Sequence, residues 1–221
     1  MTQNATDLVL EVNNIEVVYN KVVQALRGLS LAVPRGEIVA LLGSNGAGKS
    51  TTLKAISNLL PLEDGLLASG HIRFAGQDTA RLAPQQLVRL GVSHGMEGRH
   101  GFYDLTVEEN LEVGRQPPRP GAPQWTRDKL FTLFPNLGEM RSRLGGRMSG
   151  GEQQMLTIAR TLMGNPSLVL LDEPSEGLSP KIVEQMAHAI LTMKKEGVSI
   201  LVSEQNLHFA RLISDRVSII E

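Results

Sequence analysis

The chain has 221 residues, a net charge of −1 and an isoelectric point near 6.5, so it carries no basic footprint for a nucleic-acid partner. Its 41% hydrophobic content is enough for one sizeable core, which must be aliphatic because aromatics make up only 4%. It has no cysteine, which excludes disulfides and thiolate metal sites, and no apolar run approaches the roughly 18 residues a spanning helix needs.

The N-terminal stretch has neither a basic start nor a long apolar segment and does not read as a secretory signal. Residues 9–19 and 29–33 alternate as strands of a partly exposed sheet, with a turn at Pro34-Arg35-Gly36-Glu37. Residues 38–42 are continuously apolar and end in glycine, the pattern of a strand buried on both faces. A helix is expected from Lys49 to about Leu60, where Pro61 stops it, then a strand at 71–74 and a helix opened by Pro84. From Glu97 to Gly164 strand signals vanish. Residues 107–113, 127–134 and 152–163 read as helices around a proline-rich connector at 117–123. Alternation then returns: a strand at 168–171, a helix at 181–195, a strand at 199–202, a short helix at 206–213 and a last strand at 217–220. This order predicts an α/β fold, a parallel sheet flanked by helices, with 1–96 and 165–221 as its core and 97–164 as a helical insertion.

Gly43-Ser44-Asn45-Gly46-Ala47-Gly48-Lys49-Ser50 fills every fixed position of G-x-x-x-x-G-K-[ST], directly after a buried strand and opening a helix. Backbone N–H groups of such a loop wrap phosphates, and the helix presents its positive end to them. Lys49 is placed to neutralise the β- and γ-phosphates and Ser50 to offer a hydroxyl to Mg²⁺, while Thr51 completes the candidate nucleotide-binding set. Asp172 and Glu173 end the apolar strand at 168–171, the edge where open α/β sheets bind ligands. Alone, such a pair reads equally as a loop start or a helix cap. Beside the phosphate loop, Asp172 is a candidate Mg²⁺ ligand and Glu173 a candidate base for the attacking water.

Met148-Ser149-Gly150-Gly151-Glu152-Gln153-Gln154 admits two readings. Ser149 and Glu152 form a capping box at a helix start. The box leaves Gly150 and Gly151 unexplained, since glycine there costs up to ~1 kcal/mol each against alanine. Bare N–H groups meant for an anion account for them.

This loop resembles the L-S-G-G-Q signature of the ABC ATPase family, with Met148 and Glu152 at its variable ends. The resemblance covers essentially the whole chain in the family's order: Tyr19, the phosphate loop, a glutamine-loop region, the signature, the acid pair, a D-loop at Ser175-Glu176-Gly177-Leu178-Ser179 and a switch residue. It implies a P-loop NTPase core with a parallel sheet, an N-terminal antiparallel β-subdomain and an inserted helical subdomain. It also implies ATP and Mg²⁺, and a dimer in which Ser149, Gly150, Gly151 and Glu152 cap the γ-phosphate held by the other, identical or paralogous, subunit. Tyr19 then stacks on adenine; read alone, it is a core or cross-strand tyrosine.

Glu97-Gly98-Arg99, Phe134-Pro135, Gly145-Gly146 and Glu204-Gln205-Asn206 are more specific still and resemble the ATPases of branched-chain amino-acid-type importers. Glu97 stands where most relatives have a glutamine that senses Mg²⁺ and water. Gln205 stands at the usual switch histidine; it can hydrogen-bond a γ-phosphate but cannot carry a proton. The D-loop lacks the aspartate common in the wider family. The implied partners are two transmembrane permease subunits and, indirectly, a solute-binding protein, with the ATPase peripheral on the cytoplasmic face of a bacterial inner membrane. Urea and short amides fit as well as leucine. A lipid or lipopolysaccharide exporter ATPase shares the same motifs, and a soluble non-transport ATPase is a more distant alternative. His94, His100, His188 and His208 show no ligand spacing and read as structural or exposed, Trp125 and the methionines as packing residues. Glu221 directly follows a strand, where members of the family continue through a further short strand and tail.

Overall fold

The computed structural model describes residues 7–95 and 102–221. Five parallel strands form the central sheet: β3 (Ile38–Leu42), β6 (Val92–Gly95), β7 (Leu168–Asp172), β8 (Ser199–Glu204) and β9 (Arg216–Ile219), in the order β6-β7-β8-β3-β9. A second, antiparallel sheet has the order β2-β1-β4-β5, from β1 (Leu8–Tyr19), β2 (Val23–Pro34), β4 (Gly65–Phe74) and β5 (Gln77–Asp78).

The unbroken apolar runs of β3, β7 and β8 follow from burial on both faces. Alternate residues divide between two cores. Ile38, Ala40, Val169, Leu171, Ile200 and Val202 face one core, shared with α6 (Gly150–Leu162), α7 (Pro180–Lys195) and α8 (Leu207–Ile213). Val39, Leu41, Leu168, Leu170 and Leu201 face the other, shared with α1 (Lys49–Ile56) and the antiparallel sheet. The sheet is thus a wall with a helical side and a β side, and the phosphate loop and the acid pair leave it at the same end.

The remaining helices are α2 (Pro84–Leu90), α3 (Val107–Val113), α4 (Arg127–Leu133) and α5 (Pro135–Glu139). Between 102 and 164 the described residues contain no strand, only an isolated bridge between Thr106 and Leu144. Buried Asn110 holds the entry to α3, its Nδ2 donating to the carbonyls of Phe102, Leu105 and Thr106. No helix among the described residues is long and apolar enough to cross a membrane.

Several boundaries differ from the sequence reading. The first helix ends at Ile56 rather than near Leu60. Ser57 donates its hydroxyl back to Leu53 O at 2.9 Å, and Asn58 turns into the left-handed region at φ 55°. Pro61 then sits inside a separate 3₁₀ turn, Leu60–Glu63. β2 and β4 run longer than 29–33 and 71–74, because their outer halves are held by ladder bonds to β1 despite exposed, weakly patterned side chains. β5, β6 and α5 were absent from that reading; each is at most five residues long, too short to show a period. Trp125, Met155, Met186 and Met193 are buried, as packing residues should be. His94 is half-buried, with Nδ1 3.0 Å from Ser57 Oγ, and desolvation pushes its pKa down to about 4. His188 and His208 are exposed; His100 lies outside the described residues.

Candidate nucleotide site

The phosphate loop leaves β3 and closes on Gly48, the residue capping α1, whose φ of 101° only glycine adopts without strain. A Cβ there would lie 2.5 Å from Leu26 Cδ2, so Gly48 is fixed by both conformation and space. Lys49 opens α1 and is 4% exposed, its Nζ donating to Gly43 O at 2.8 Å and Ser44 O at 3.0 Å. Asn45, Gly46, Gly48, Lys49, Ser50 and Thr51 line a cleft of about 300 Å³ together with Ala25, Glu173 and Glu176. Ala47 turns away and packs on the β-side core.

Of the acid pair at the end of β7, Glu173 lines the same cleft and Asp172 lies behind it, not among the lining residues. Asp172, 4% exposed, accepts from Ser203 Oγ on the neighbouring strand β8. Glu173 takes φ 44°, rare for a residue with a Cβ, and donates its N–H to Ser203 O at 3.1 Å. Strain of this kind gathers at functional sites, where surrounding contacts hold it. Here the turn points the carboxylate back over the loop: Oε1 lies 3.1 Å from Lys49 Nζ, and Oε2 accepts from Gln205 Nε2 at 2.7 Å. Chain segments far apart in sequence thus place a lysine, a carboxylate and an amide in one contact.

Among the described residues no three His, Cys, Asp or Glu side chains gather into a protein-only metal cage. The donors present, one hydroxyl at Ser50 and one carboxylate at Asp172, suit an ion that brings phosphate oxygens with it, as Mg²⁺ does.

Other candidates stand apart from this cleft. Ser149 caps α6, its N–H donating to Glu152 Oε2 at 2.7 Å while Glu152 N donates to Ser149 Oγ at 3.4 Å. Gly151 has a packing reason the sequence did not show: a Cβ there would come 2.9 Å from Ile182 Cγ2 on α7. None of residues 149–152 lines the phosphate cleft of the same chain. Tyr19 does not line it either; its ring lies against Gly65, where a Cβ would be 2.7 Å from Tyr19 Cε1. Glu97 lies outside the described residues. Sequence reasoning passed over Ser203, which bonds both acids' neighbourhood, and quoted Glu204 only within a motif with no role of its own, although it is 2% exposed at the end of a wholly buried strand. An acid closing such a strand was the available signal.

A family profile described as ABC transporter matches residues 26–176. The high-affinity branched-chain amino acid transport ATP-binding protein BraG of Pseudomonas aeruginosa is 42% identical over 96% of this chain and 88% of its own length. The probable branched-chain amino acid transport ATP-binding protein LivF of Archaeoglobus fulgidus is 34% identical over 83% of this chain and 76% of its own. Among solved structures, a nucleotide-free ATP-binding cassette from an ABC transporter superposes with a TM-score of 0.81 at 26% identity, covering 96% of this chain and 87% of that one. The profile, the relatives and the shared architecture agree: the chain belongs to the ABC transporter family, as one of its ATP-binding, ATP-hydrolysing subunits.

Proposed function

We propose that this chain hydrolyses ATP to drive an importer of branched-chain amino acids or related small solutes such as urea and amides. The observation that carries the chemistry is the Glu173 carboxylate, held between Lys49 and Gln205 over the phosphate loop. The importer class rests on the relatives' names.

Lys49 is satisfied by two loop carbonyls and by Glu173. A triphosphate seated in the loop offers Lys49 a stronger anionic partner. The amine turns to the γ-phosphate, and Glu173 is left free to accept a proton from water. Gln205 keeps one carboxylate oxygen oriented through its amide N–H, and its reach extends to the γ-phosphate. Ser50 and Asp172 would hold Mg²⁺, which would neutralise phosphate charge there. Tyr19 faces the adenine, and Glu97 senses the metal and water.

The site is completed by a second ATPase subunit, identical or paralogous, whose Ser149, Gly150, Gly151 and Glu152 cap the γ-phosphate in trans. Separation of residues 149–152 from the cleft of their own chain supports that reading. Two permease subunits, and indirectly a solute-binding protein, complete the transporter. The ATPase lies peripherally on the cytoplasmic face of the membrane, the stretch from roughly Glu97 through Leu111 meeting the permeases, and nucleic acid has no part in it.

Uptake of radiolabelled leucine, isoleucine, valine and urea by cells lacking the chain tests the importer reading. Uptake of at least one solute is expected to fall to background, and to return with the wild-type chain but not with Glu173→Gln. Undiminished uptake of all four would contradict it.

A further inference from the structure

Glu204 ends β8 at 2% exposure, and no Lys, Arg or His among the described residues pairs with it. Burial pushes its carboxyl pKa up, opposed by hydrogen bonds from Ser175, Asn206 and Gln205. An unpaired buried carboxylate is a costly group, kept only where its oxygens are well used. Here they receive three backbone N–H groups from two loops. Oε1 accepts from Ser175 N at 3.1 Å, and Oε2 from Gln205 N and Asn206 N, both at 3.2 Å.

These contacts close a ring. Glu173 leads by two peptide bonds to Ser175, Ser175 N–H reaches the Glu204 carboxylate, Glu204 is followed by Gln205, and the Gln205 amide returns to Glu173 Oε2 at 2.7 Å. Among the described residues, apart from the Glu204 carboxylate, the two loops are joined by the Glu173–Gln205 side-chain contact and by bonds from Glu173 N to Ser203 O and Oγ. We infer that Glu204 is a positioning residue, joining the Ser175 loop and the Gln205 loop into one body so that Gln205 is held against Glu173. A shift of the Ser175 loop is then felt at Gln205. The inference rests on the proposed hydrolysis at Glu173.

Glu204→Gln in the full chain tests it, because the amide fills the same space but turns an N–H₂ toward backbone N–H donors. Turnover is expected to fall on the order of tenfold to a hundredfold, the usual cost of a misplaced catalytic group. ATP affinity should stay within about threefold, since the phosphate loop is untouched. Amide exchange of Ser175, Gln205 and Asn206 should speed up together. Combined with Gln205→Ala, the loss of turnover should be far less than the product of the single losses, as for residues acting through one another.

Wild-type turnover in Glu204→Gln overturns the inference. So does a matching loss of ATP affinity, or full additivity with Gln205→Ala, either of which makes Glu204 a plain structural residue. If Glu204→Gln does not fold, Glu204→Asp keeps the charge but is one methylene too short for both loops. The same split is expected from it, and normal turnover there overturns the inference equally. Glu173→Gln measured in parallel separates the two levels: if it retains turnover, the reading of the base fails; if it alone loses turnover, only the positioning role fails.

Discussion

Glu173→Gln is expected to bind ATP as the parent does and to lose ~10²–10⁴-fold in steady-state turnover, the span of a general base. The substitution is nearly isosteric, and its local costs are small. The new amide oxygen still accepts from Lys49, whose other bonds to Gly43 O and Ser44 O are unaffected. Facing Gln205, the new N–H₂ meets a donor where the carboxylate met a partner, but the Gln205 amide can flip and present its oxygen. What vanishes is the capacity to take a proton. Phosphate release measured beside equilibrium ATP binding separates the two effects. Normal turnover in this variant would remove Glu173 from the base's role.

Lys49→Ala has the opposite signature, with binding and stability falling together. The Lys49 and Glu173 side chains are 3% and 9% exposed, so their pairing at 3.1 Å is sheltered from solvent. Removing one partner of a buried pair typically costs about 3–5 kcal/mol, because the remaining charge is stranded. Glu173 would keep only the Gln205 amide, and the Gly43 and Ser44 carbonyls would lose their donor. ATP affinity should drop roughly tenfold to a hundredfold, the worth of a lost hydrogen bond to a charged group. Adding Glu173→Gln to Lys49→Ala should recover part of the stability and none of the affinity. Denaturant unfolding and ATP titration of the three variants check this. If Lys49→Ala is as stable as the parent, the buried pair is not what holds the site.

The two cores were legible in the sequence because physics writes them twice. Continuous apolar runs at 38–42 and 168–171 demand burial on both faces, and the glycine-lysine loop after the first of them demands a strand-to-helix turn. The phosphate loop and the acid pair were therefore found together, and the structure puts Lys49 against Glu173. The Glu173–Gln205 contact was not legible. It depends on a left-handed turn at a glutamate and on parallel pairing of β7 with β8, neither of which leaves a local pattern. Gly151 shows the limit from the other side, since its contact with Ile182 comes from helix packing across 31 residues of sequence. Short elements such as β6 escaped for want of a period, yet β6 is the edge of the central sheet and carries the chain toward Glu97.

The most direct test of the account is a crystal structure of the Glu173→Gln chain with its ATPase partner, identical or paralogous, grown with ATP and Mg²⁺. The predicted result has Lys49 Nζ turned from residue 173 to the γ-phosphate, Ser50 and Asp172 at the metal, and the second subunit's signature loop on the same phosphate. ATP bound away from the phosphate loop, or fully enclosed by one chain with no signature loop from a second, would contradict it.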